Sequence, residues 1–397
     1  MMRGGKMDNE GEYMTRQELT VDQINQNGMD QDMEQEAEEE EQDDISGLSK
    51  KGYQYLKENR TFDAIDCFSK ILKIDENNNY ALVGMGDASR KQGGFRNAVL
   101  YYQRCLARHP GNNYALFGLA DCYKALKQYH TAIDIWEQYL LHDDKNITVL
   151  TRVADAYRKV RDYNHSKGIY LRVLEMEDQN PYAIIGLGHL HYDFKEYREA
   201  LYYWEKMLER FKENVDIRVL TSIGNCHRKL KTFQEGIGYF ETALQREPHN
   251  FYALFGLADC YRGLKQQDRS LEYWNRILDQ DPRNKVILSR AGDAYRNLGE
   301  FDTATEYYER ALNIEFDIHS VLGLAIVSKA QGKFDEAIES LTRLIQQDPR
   351  NPRLYLELAD CKLKKGEKRE AAEILEEFQR QGLRNNAVAE LLERLRN

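Results

Sequence analysis

One residue pattern returns along most of this 397-residue chain with a period of about 34 residues, starting near Ile45. Counted from the start of each repeat, the eighth position is small: Gly52, Gly86, Ala120, Ala154, Gly188, Gly224, Ala258, Gly292, Ala325 and Ala359. A second small residue follows twelve positions later: Ala64, Ala98, Ala132, Ser166, Ala200, Gly236, Ser270, Ala304, Ala337 and Ala371. Because two helices approach closely only where their side chains are small, each repeat is predicted to be a packed helix pair.

A large side chain stands four residues after each second small position: Phe68, Tyr102, Trp136, Tyr170, Trp204, Phe240, Trp274, Tyr308, Leu341 and Leu375. All three tryptophans of the chain occupy this position. A cofactor or a substrate can stack on such a stripe of rings, but burial between neighbouring helix pairs is the more common role. We therefore predict that these residues form the core.

The period and the three marked positions resemble the tetratricopeptide repeat family, and the resemblance covers residues 45–384. It implies an all-α fold, a right-handed superhelix (α-solenoid) of about ten tandem helix-turn-helix repeats. The predicted repeats are 45–78, 79–112, 113–146, 147–180, 181–216, 217–250, 251–284, 285–317, 318–351 and 352–384. Residues 385–397 are predicted to form a capping helix, because Val388, Leu391, Leu392 and Leu395 fall on one helical face.

Charge divides the chain into an acidic tail and a nearly neutral body. Residues 1–44 carry 15 acidic and 3 basic side chains, whereas the rest of the chain carries 51 acidic and 53 basic ones. A near-neutral body lacks the basic face that nucleic acid or an anionic lipid surface needs. The chain also lacks an apolar run typical of a signal peptide or a membrane span. These features predict a cytoplasmic protein that binds protein partners, with no nucleic acid and no membrane insertion.

The acidic tail, residues 1–44, has too little apolar surface to fold alone and is predicted to be disordered. Solvation of the chain is the commonest role of such a segment. A sharper hypothesis is that the tail folds back over the arginines named below and competes with acidic ligands. Removal of residues 1–44 is then expected to tighten ligand binding at low salt.

A longer period of 138 residues lies above the short one. The segment Tyr114–Tyr123 reads YALFGLADCY and returns unchanged as Tyr252–Tyr261, and Asp155–Arg158 returns as Asp293–Arg296. This recurrence indicates that repeats duplicated four at a time. We expect two similar binding surfaces, one in each block.

The resemblance also implies where a partner binds, since positions two, five, nine and twelve of the first helix face the concave groove in this family. Here position nine is mostly Asp and position twelve is Arg or Lys, three residues later on the same helical face, while aromatic rings occupy positions two and five. The candidate partner-binding residues are Tyr80, Asp87, Arg90, Tyr114, Phe117, Asp121, Lys124, Asp155, Arg158, Tyr182, Asn225, Arg228, Tyr252, Phe255, Asp259, Arg262, Asp293 and Arg296.

Two interpretations of these residues remain open. In the first, the charged groups hydrogen-bond an extended or helical peptide while the rings take its apolar side chains. In the second, they form a ladder of ion pairs within and between repeats, each contributing about 0.2–0.5 kcal/mol, which duplication alone would propagate. Aspartates at position nine repel a terminal carboxylate, so the sequence does not predict a receptor for chaperone tails.

The resemblance and the missing catalytic motifs favour a non-enzymatic protein-interaction scaffold or adaptor. The alternative is a regulatory or substrate-presenting subunit of a separate enzyme complex. An enzyme is disfavoured because the chain has no Gly-rich phosphate loop, no metalloprotease motif and no nucleophile elbow. The aspartates at position nine also oppose RNA binding. Self-association stays open.

Neither the histidines nor the cysteines suggest a metal site. His189, His191 and His227 are too few ligands, since no cysteine or carboxylate completes a tetrahedral set with them. The tenth position of several first helices, a small buried site in the family, is cysteine: Cys122, Cys226, Cys260 and Cys361. Both sets are predicted to be structural, and no metal or cofactor is predicted.

Overall fold

A computed structural model describes residues 45–396 of the chain. The predicted disordered tail, residues 1–44, lies outside the described residues. Within them, all regular secondary structure is helical, which confirms the predicted all-α solenoid. The handedness of the superhelix and the number of repeats stay predictions.

Twenty-one α-helices follow one another in the described residues, with a short 3-10 turn at Lys212–Asn214 after the tenth. Their bounds are α1 45–57, α2 Thr61–Ile74, α3 Asn79–Lys91, α4 Phe95–Arg108, α5 Asn113–Ala125, α6 Tyr129–Leu140, α7 Ile147–Lys159, α8 Tyr163–Met176, α9 Pro181–Asp193, α10 Tyr197–Phe211, α11 Ile217–Leu230, α12 Phe233–Arg246, α13 Phe251–Gly263, α14 Gln267–Gln280, α15 Lys285–Leu298, α16 Phe301–Leu312, α17 Ile318–Ala330, α18 Phe334–Gln347, α19 Pro352–Lys364, α20 Lys368–Arg380 and α21 Asn386–Arg396. The odd-numbered helices from α1 to α19 are the first helices of the pairs, and the even-numbered ones are the second helices.

The described residues divide into two compact bodies, 45–169 and 170–396, and the boundary falls inside α8. In the N-terminal body the predicted core residues Phe68, Tyr102 and Trp136 have no exposed surface. In the C-terminal body the predicted core residues are also buried, each 3% exposed or less: Tyr170, Trp204, Phe240, Trp274, Tyr308, Leu341 and Leu375. The core prediction is confirmed in both bodies. The cysteines predicted at the buried tenth position are buried as well, and they are free thiols: Cys122, Cys226, Cys260 and Cys361.

The first helices from α3 to α19 begin in the same way. An Asn or Asp side chain at the N-cap accepts a hydrogen bond from a backbone N–H of the first turn, which satisfies one of the donors left unpaired at a helix start. These caps are Asn78, Asn112, Asn146, Asn180, Asp216, Asn250, Asn284, Asp317 and Asn351. The polar residue that closes one repeat therefore starts the next one.

The turn inside each helix pair carries one residue with positive φ, always at the fifteenth position of the repeat. These residues are Asn59, Gly93, Lys127, Arg161, Lys195, Lys231, Lys265, Gly299, Gly332 and Gly366. A left-handed residue ends the first helix and reverses the chain within a few residues, so the second helix packs antiparallel against the first. Glycine adopts this conformation without strain, whereas lysine, arginine and asparagine do so at some cost.

The last helix, α21, covers the end of the C-terminal body. Val388 and Leu392 are buried against Tyr355 and Phe378, and Leu391 and Leu395 are partly buried beside them. The apolar face of the final helix pair is thereby kept from solvent, which an end repeat needs because it has only one neighbour.

Candidate functional site

The first helices present large aromatic rings to solvent. Tyr80 and Tyr114 are 63% and 80% exposed, and in the C-terminal body Tyr182 and Tyr252 are exposed to a similar degree. In the N-terminal body Tyr80 and Tyr114 line a cavity of about 710 Å³ together with Tyr53, Lys57 and Asp87. The surface formed by the first helices is called the first-helix face below.

A first ionic cluster lies on this face in the N-terminal body, and it consists of Asp87, Arg90, Asp121, Lys124, Arg152 and Asp155. Arg90 donates to Asp87 of its own helix at 3.0 Å and to Asp121 of the next first helix at 3.5 Å. Arg152 donates to Asp121 at 2.7 Å, and Lys124 pairs with Asp155 at 2.8 Å. The pairs therefore link successive first helices.

A second ionic cluster occupies the equivalent positions, 138 residues later, in the C-terminal body, and it consists of Asn225, Arg228, Asp259, Arg262, Arg290 and Asp293. Here Asp259 is the centre, because it accepts hydrogen bonds from Arg228 at 2.7 Å, Arg262 at 2.6 Å and Arg290 at 3.3 Å. Arg228 also donates to the side-chain oxygen of Asn225 at 3.2 Å.

Arg158 and Arg296, the remaining charged candidates, each pair with an aspartate at the edge of a cluster. Arg158 donates to Asp155 at 2.7 Å, and Arg296 donates to Asp293 at 2.9 Å. The Tyr308 hydroxyl donates to the same carboxylate at 2.8 Å. Positions nine and twelve thus lie side by side wherever both are charged, and the ladder of ion pairs exists within each body. Partner binding by these residues stays a prediction.

Two arginines of the clusters, Arg152 and Arg290, were not among the partner-binding residues predicted from the sequence. They lie at position six, with their guanidinium groups 4.9 Å and 5.2 Å from the ring centres of Phe117 and Phe255. These two rings, predicted to face the groove, are partly buried against the core and lie beneath the arginines. The sequence pattern could have identified them, because Arg152 and Arg290 are 138 residues apart, as are the other duplicated positions of the clusters.

The identity of position six follows the large residue of the preceding repeat. After Phe or Tyr it is always glycine: Gly84, Gly118, Gly186, Gly256 and Gly323. After Trp136 and Trp274 it is arginine, and after Trp204 it is Ser222. The glycine lets the ring meet the backbone, since a Cβ on Gly256 would lie 2.2 Å from Phe240. After tryptophan this position carries a side chain instead, and the side chains of Arg152 and Arg290 reach the first-helix face.

Comparison with models of known families identifies the family of the chain. Three models, each described as a tetratricopeptide repeat, match the chain: one at residues 83–146 and 224–285, one at 287–318 and one at 329–395. Together they span more than half of its length. The chain belongs to the tetratricopeptide repeat family. Proteins of this family bind protein partners and are generally non-catalytic, so membership supports a protein-interaction scaffold.

Two solved structures are similar to this tetratricopeptide chain. The MamA protein is 21% identical over 43% of this chain and 92% of its own, with a TM-score of 0.38. Yeast Tom70 is 15% identical over 89% of this chain and 95% of its own, with a TM-score of 0.40. At these values neither likeness indicates a partner. The comparison with curated proteins gives no significant match.

The electrostatics of the two clusters differ within the tetratricopeptide array. Burial raises the pKa of Asp121, although Arg152 and Arg90 oppose the effect. Burial acts in the same direction on Asp259, but its hydrogen bonds with Arg228 and Arg262 outweigh it and lower the pKa of that carboxyl. Asp259 is therefore held as a carboxylate by the arginines around it.

The histidines of the tetratricopeptide array pack as structural residues. His191 is buried, stacks on Tyr203 and hydrogen-bonds Glu196 at 2.6 Å, while His227 stacks on Tyr239. Over residues 45–396, no three His, Cys, Asp or Glu side chains are grouped so that they could hold a metal ion. In the same range, no helix is both long enough and apolar enough to span a bilayer.

Proposed function

We propose that this protein is a non-enzymatic interaction scaffold or adaptor that binds a peptide or protein segment in the concave groove lined by the first helices of its tetratricopeptide array. The observation that carries the proposal is the cavity of about 710 Å³ on the first-helix face, where Tyr53, Tyr80 and Tyr114 converge with Lys57 and Asp87. Mostly apolar lining with a few convergent polar groups is typical of a ligand site.

The exposed rings favour partner binding over a purely structural role. The ion pairs alone fit the structural interpretation, because each lies within one first helix or links two first helices of the same body. Tyr80, Tyr114, Tyr182 and Tyr252 contribute little to packing in the isolated chain, since most of each ring is in water. Burial of one such ring by a partner would stabilise a complex by roughly 1–3 kcal/mol at about 25 cal/mol per Å².

Affinity capture from native extract tests the proposal. The full-length protein is compared with a groove variant in which four arginines become alanine: Arg90, Arg158, Arg228 and Arg296. The matched control carries alanine at four arginines of the second helices: Arg104, Arg276, Arg310 and Arg343. Bound proteins are identified by mass spectrometry, and circular dichroism checks that both variants stay helical.

We expect the groove variant to lose specific partners that the control retains. Partners that survive in the groove variant and disappear in the control would move the site to the second helices. An enzyme among the lost partners would favour the alternative, a regulatory or substrate-presenting subunit. Capture of a second copy of the chain would reveal self-association, and separate capture from cytosolic and membrane fractions tests the predicted cytoplasmic location.

A further inference from the structure

The two ionic clusters differ at two of their six equivalent positions. Asp87 in the first cluster corresponds to Asn225 in the second, and Lys124 corresponds to Arg262. The first cluster therefore holds three carboxylates and three cations, whereas the second holds two carboxylates and three cations. The second cluster therefore carries an excess of positive charge that the first one lacks.

The second cluster lacks both the counterpart of the Asp87 carboxylate and the counterpart of the hydroxyl that donates a hydrogen bond to it. In the first cluster the hydroxyl of Tyr102 donates to Asp87 at 2.8 Å. The residue equivalent to Tyr102 is Phe240, which has no hydroxyl and lies in the repeat of Asn225. The paired change removes a negative charge without leaving a buried hydroxyl unsatisfied, so the fold tolerates it at little cost.

Three guanidinium groups consequently share one carboxylate. Arg228, Arg262 and Arg290 all donate to Asp259, whose side chain is only 9% exposed. Asp293, the other carboxylate of the cluster, pairs with Arg296 at 2.9 Å. One negative charge offsets only one of the three positive charges around it. Burial lowers the pKa of Arg290; Asp259 opposes this effect, but the neighbouring Arg262 and Arg228 lower the pKa further.

Space for a ligand lies next to the unbalanced charge. A cavity of about 230 Å³ is lined by Lys285, Arg290 and His319 together with the carboxylates of Asp293 and Asp317. The Nε atom of Arg290 is buried and has no hydrogen-bond partner among the described residues, and the same holds for its counterpart Arg152 in the first cluster. The exposed ring of Tyr252 lies seven residues, about two helical turns, before Asp259 on α13 and hence on the same helical face.

We propose that the second ionic cluster binds an acidic side chain, Asp or Glu, of a partner peptide, and that the first cluster does not. This rests on the proposed function, because the peptide must lie on the first-helix face. The ligand carboxylate supplies the negative charge that Asn225 no longer provides, and Arg228, Arg262 and Arg290 donate charge-assisted hydrogen bonds to it. An apolar neighbour in the peptide packs on Tyr252.

Selection from a library of random dodecapeptides displayed on phage tests this proposal on the full-length protein. The wild type is compared with Asn225→Asp, which gives the second cluster the residue that the first one has, and with Asp87→Asn, which makes the reverse change. We expect Asp and Glu to be enriched in peptides selected by the wild type, and at least as strongly in those selected by Asp87→Asn, because this change gives the first cluster the same excess of positive charge. The enrichment should disappear with Asn225→Asp.

The best wild-type peptide and its Glu→Gln (or Asp→Asn) counterpart then give affinities by fluorescence anisotropy. We expect the acidic peptide to bind the wild type about tenfold more tightly than the neutral one, which is the effect of about one charge-assisted hydrogen bond. Asn225→Asp should reduce this preference to about twofold or less.

Four results would overturn the proposal. If the selected peptides show no acidic preference, or if Asn225→Asp weakens both peptides equally, the charge excess does not select the ligand, and the proposed function still stands. If substitution of Glu38–Glu41 by Gln in the full chain makes acidic peptides bind severalfold more tightly, the segment that occupies the second cluster is the chain's own tail. If the wild type enriches no peptide at all, both this proposal and the proposed function fail.

Discussion

Single glycines set how closely one repeat meets the next. Gly256 faces the ring of Phe240 and Gly84 faces that of Phe68, and an added Cβ would lie 2.2 Å and 2.4 Å from those rings. Such contacts are far shorter than real side chains make, so either the ring or the helix must move. The glycine at position six is thus a packing requirement, although glycine is a poor helix former.

We predict that Gly256→Ala destabilises the protein by about 1–3 kcal/mol because it overpacks the core at Phe240. Gly238→Ala is the matched control, since Gly238 lies in α12 with open space around it and alanine favours the helix by about 0.5–1 kcal/mol. Urea unfolding followed by circular dichroism measures both. Equal effects of the two substitutions would contradict the packing account.

Asp259 gives a prediction about pH. Its pKa is lower in the folded protein than in the unfolded chain, so the stabilisation it contributes is present above the unfolded pKa and is lost as pH falls through the folded one. We expect Asp259→Asn to reduce stability at pH 7 by about 1.5–3 kcal/mol, and the difference from wild type to shrink between about pH 5 and pH 3.

Asp121→Asn is the control for this pH dependence, because the pKa of Asp121 is raised and the sign reverses. The wild type should gain stability relative to Asp121→Asn as the carboxyl takes up a proton at lower pH. Urea unfolding at pH 7, 5, 4 and 3 measures both variants. A parallel pH profile for the two substitutions would show that the arginines do not hold Asp259 ionised.

At the scale of the helices, the turn between the members of each pair is the strained element. Six of the fifteenth-position residues are not glycine but have positive φ: Asn59, Lys127, Arg161, Lys195, Lys231 and Lys265. Each holds a conformation that costs an L-residue with a Cβ roughly 1 kcal/mol. The strain persists because packing of the two helices fixes the turn.

We therefore expect Lys265→Gly to stabilise the protein by about 0.5–1 kcal/mol, since glycine removes the strain of the left-handed conformation. Gly299→Ala at the same position of the following repeat should destabilise it by about the same amount. The midpoints of urea unfolding compare the two. Destabilisation by Lys265→Gly would show that the lysine side chain contributes more than its backbone costs.

The helices and the core were predictable from the sequence because their signals are local and periodic. Small residues at position eight and large ones such as Trp136 recur in register, and burial confirms them. Arg152 and Arg290 were missed because each pairs with an aspartate of the preceding first helix, which spacing within one helix does not show. The convergence of three arginines on Asp259 joins successive first helices, and spacing within one helix does not show it.

At the scale of the whole molecule, we propose that a partner contacts the first-helix face. The most direct measurement places a photo-crosslinking amino acid, p-benzoylphenylalanine, singly at exposed positions of the full-length protein and irradiates each variant in native extract. Tyr80, Tyr182 and Tyr252 report on the first-helix face, and Leu100 and Tyr202, equally large and exposed on second helices, are the controls. The account predicts specific crosslinked partners from the three tyrosine positions and none from the controls. Partners crosslinked only from Leu100 or Tyr202 would contradict it.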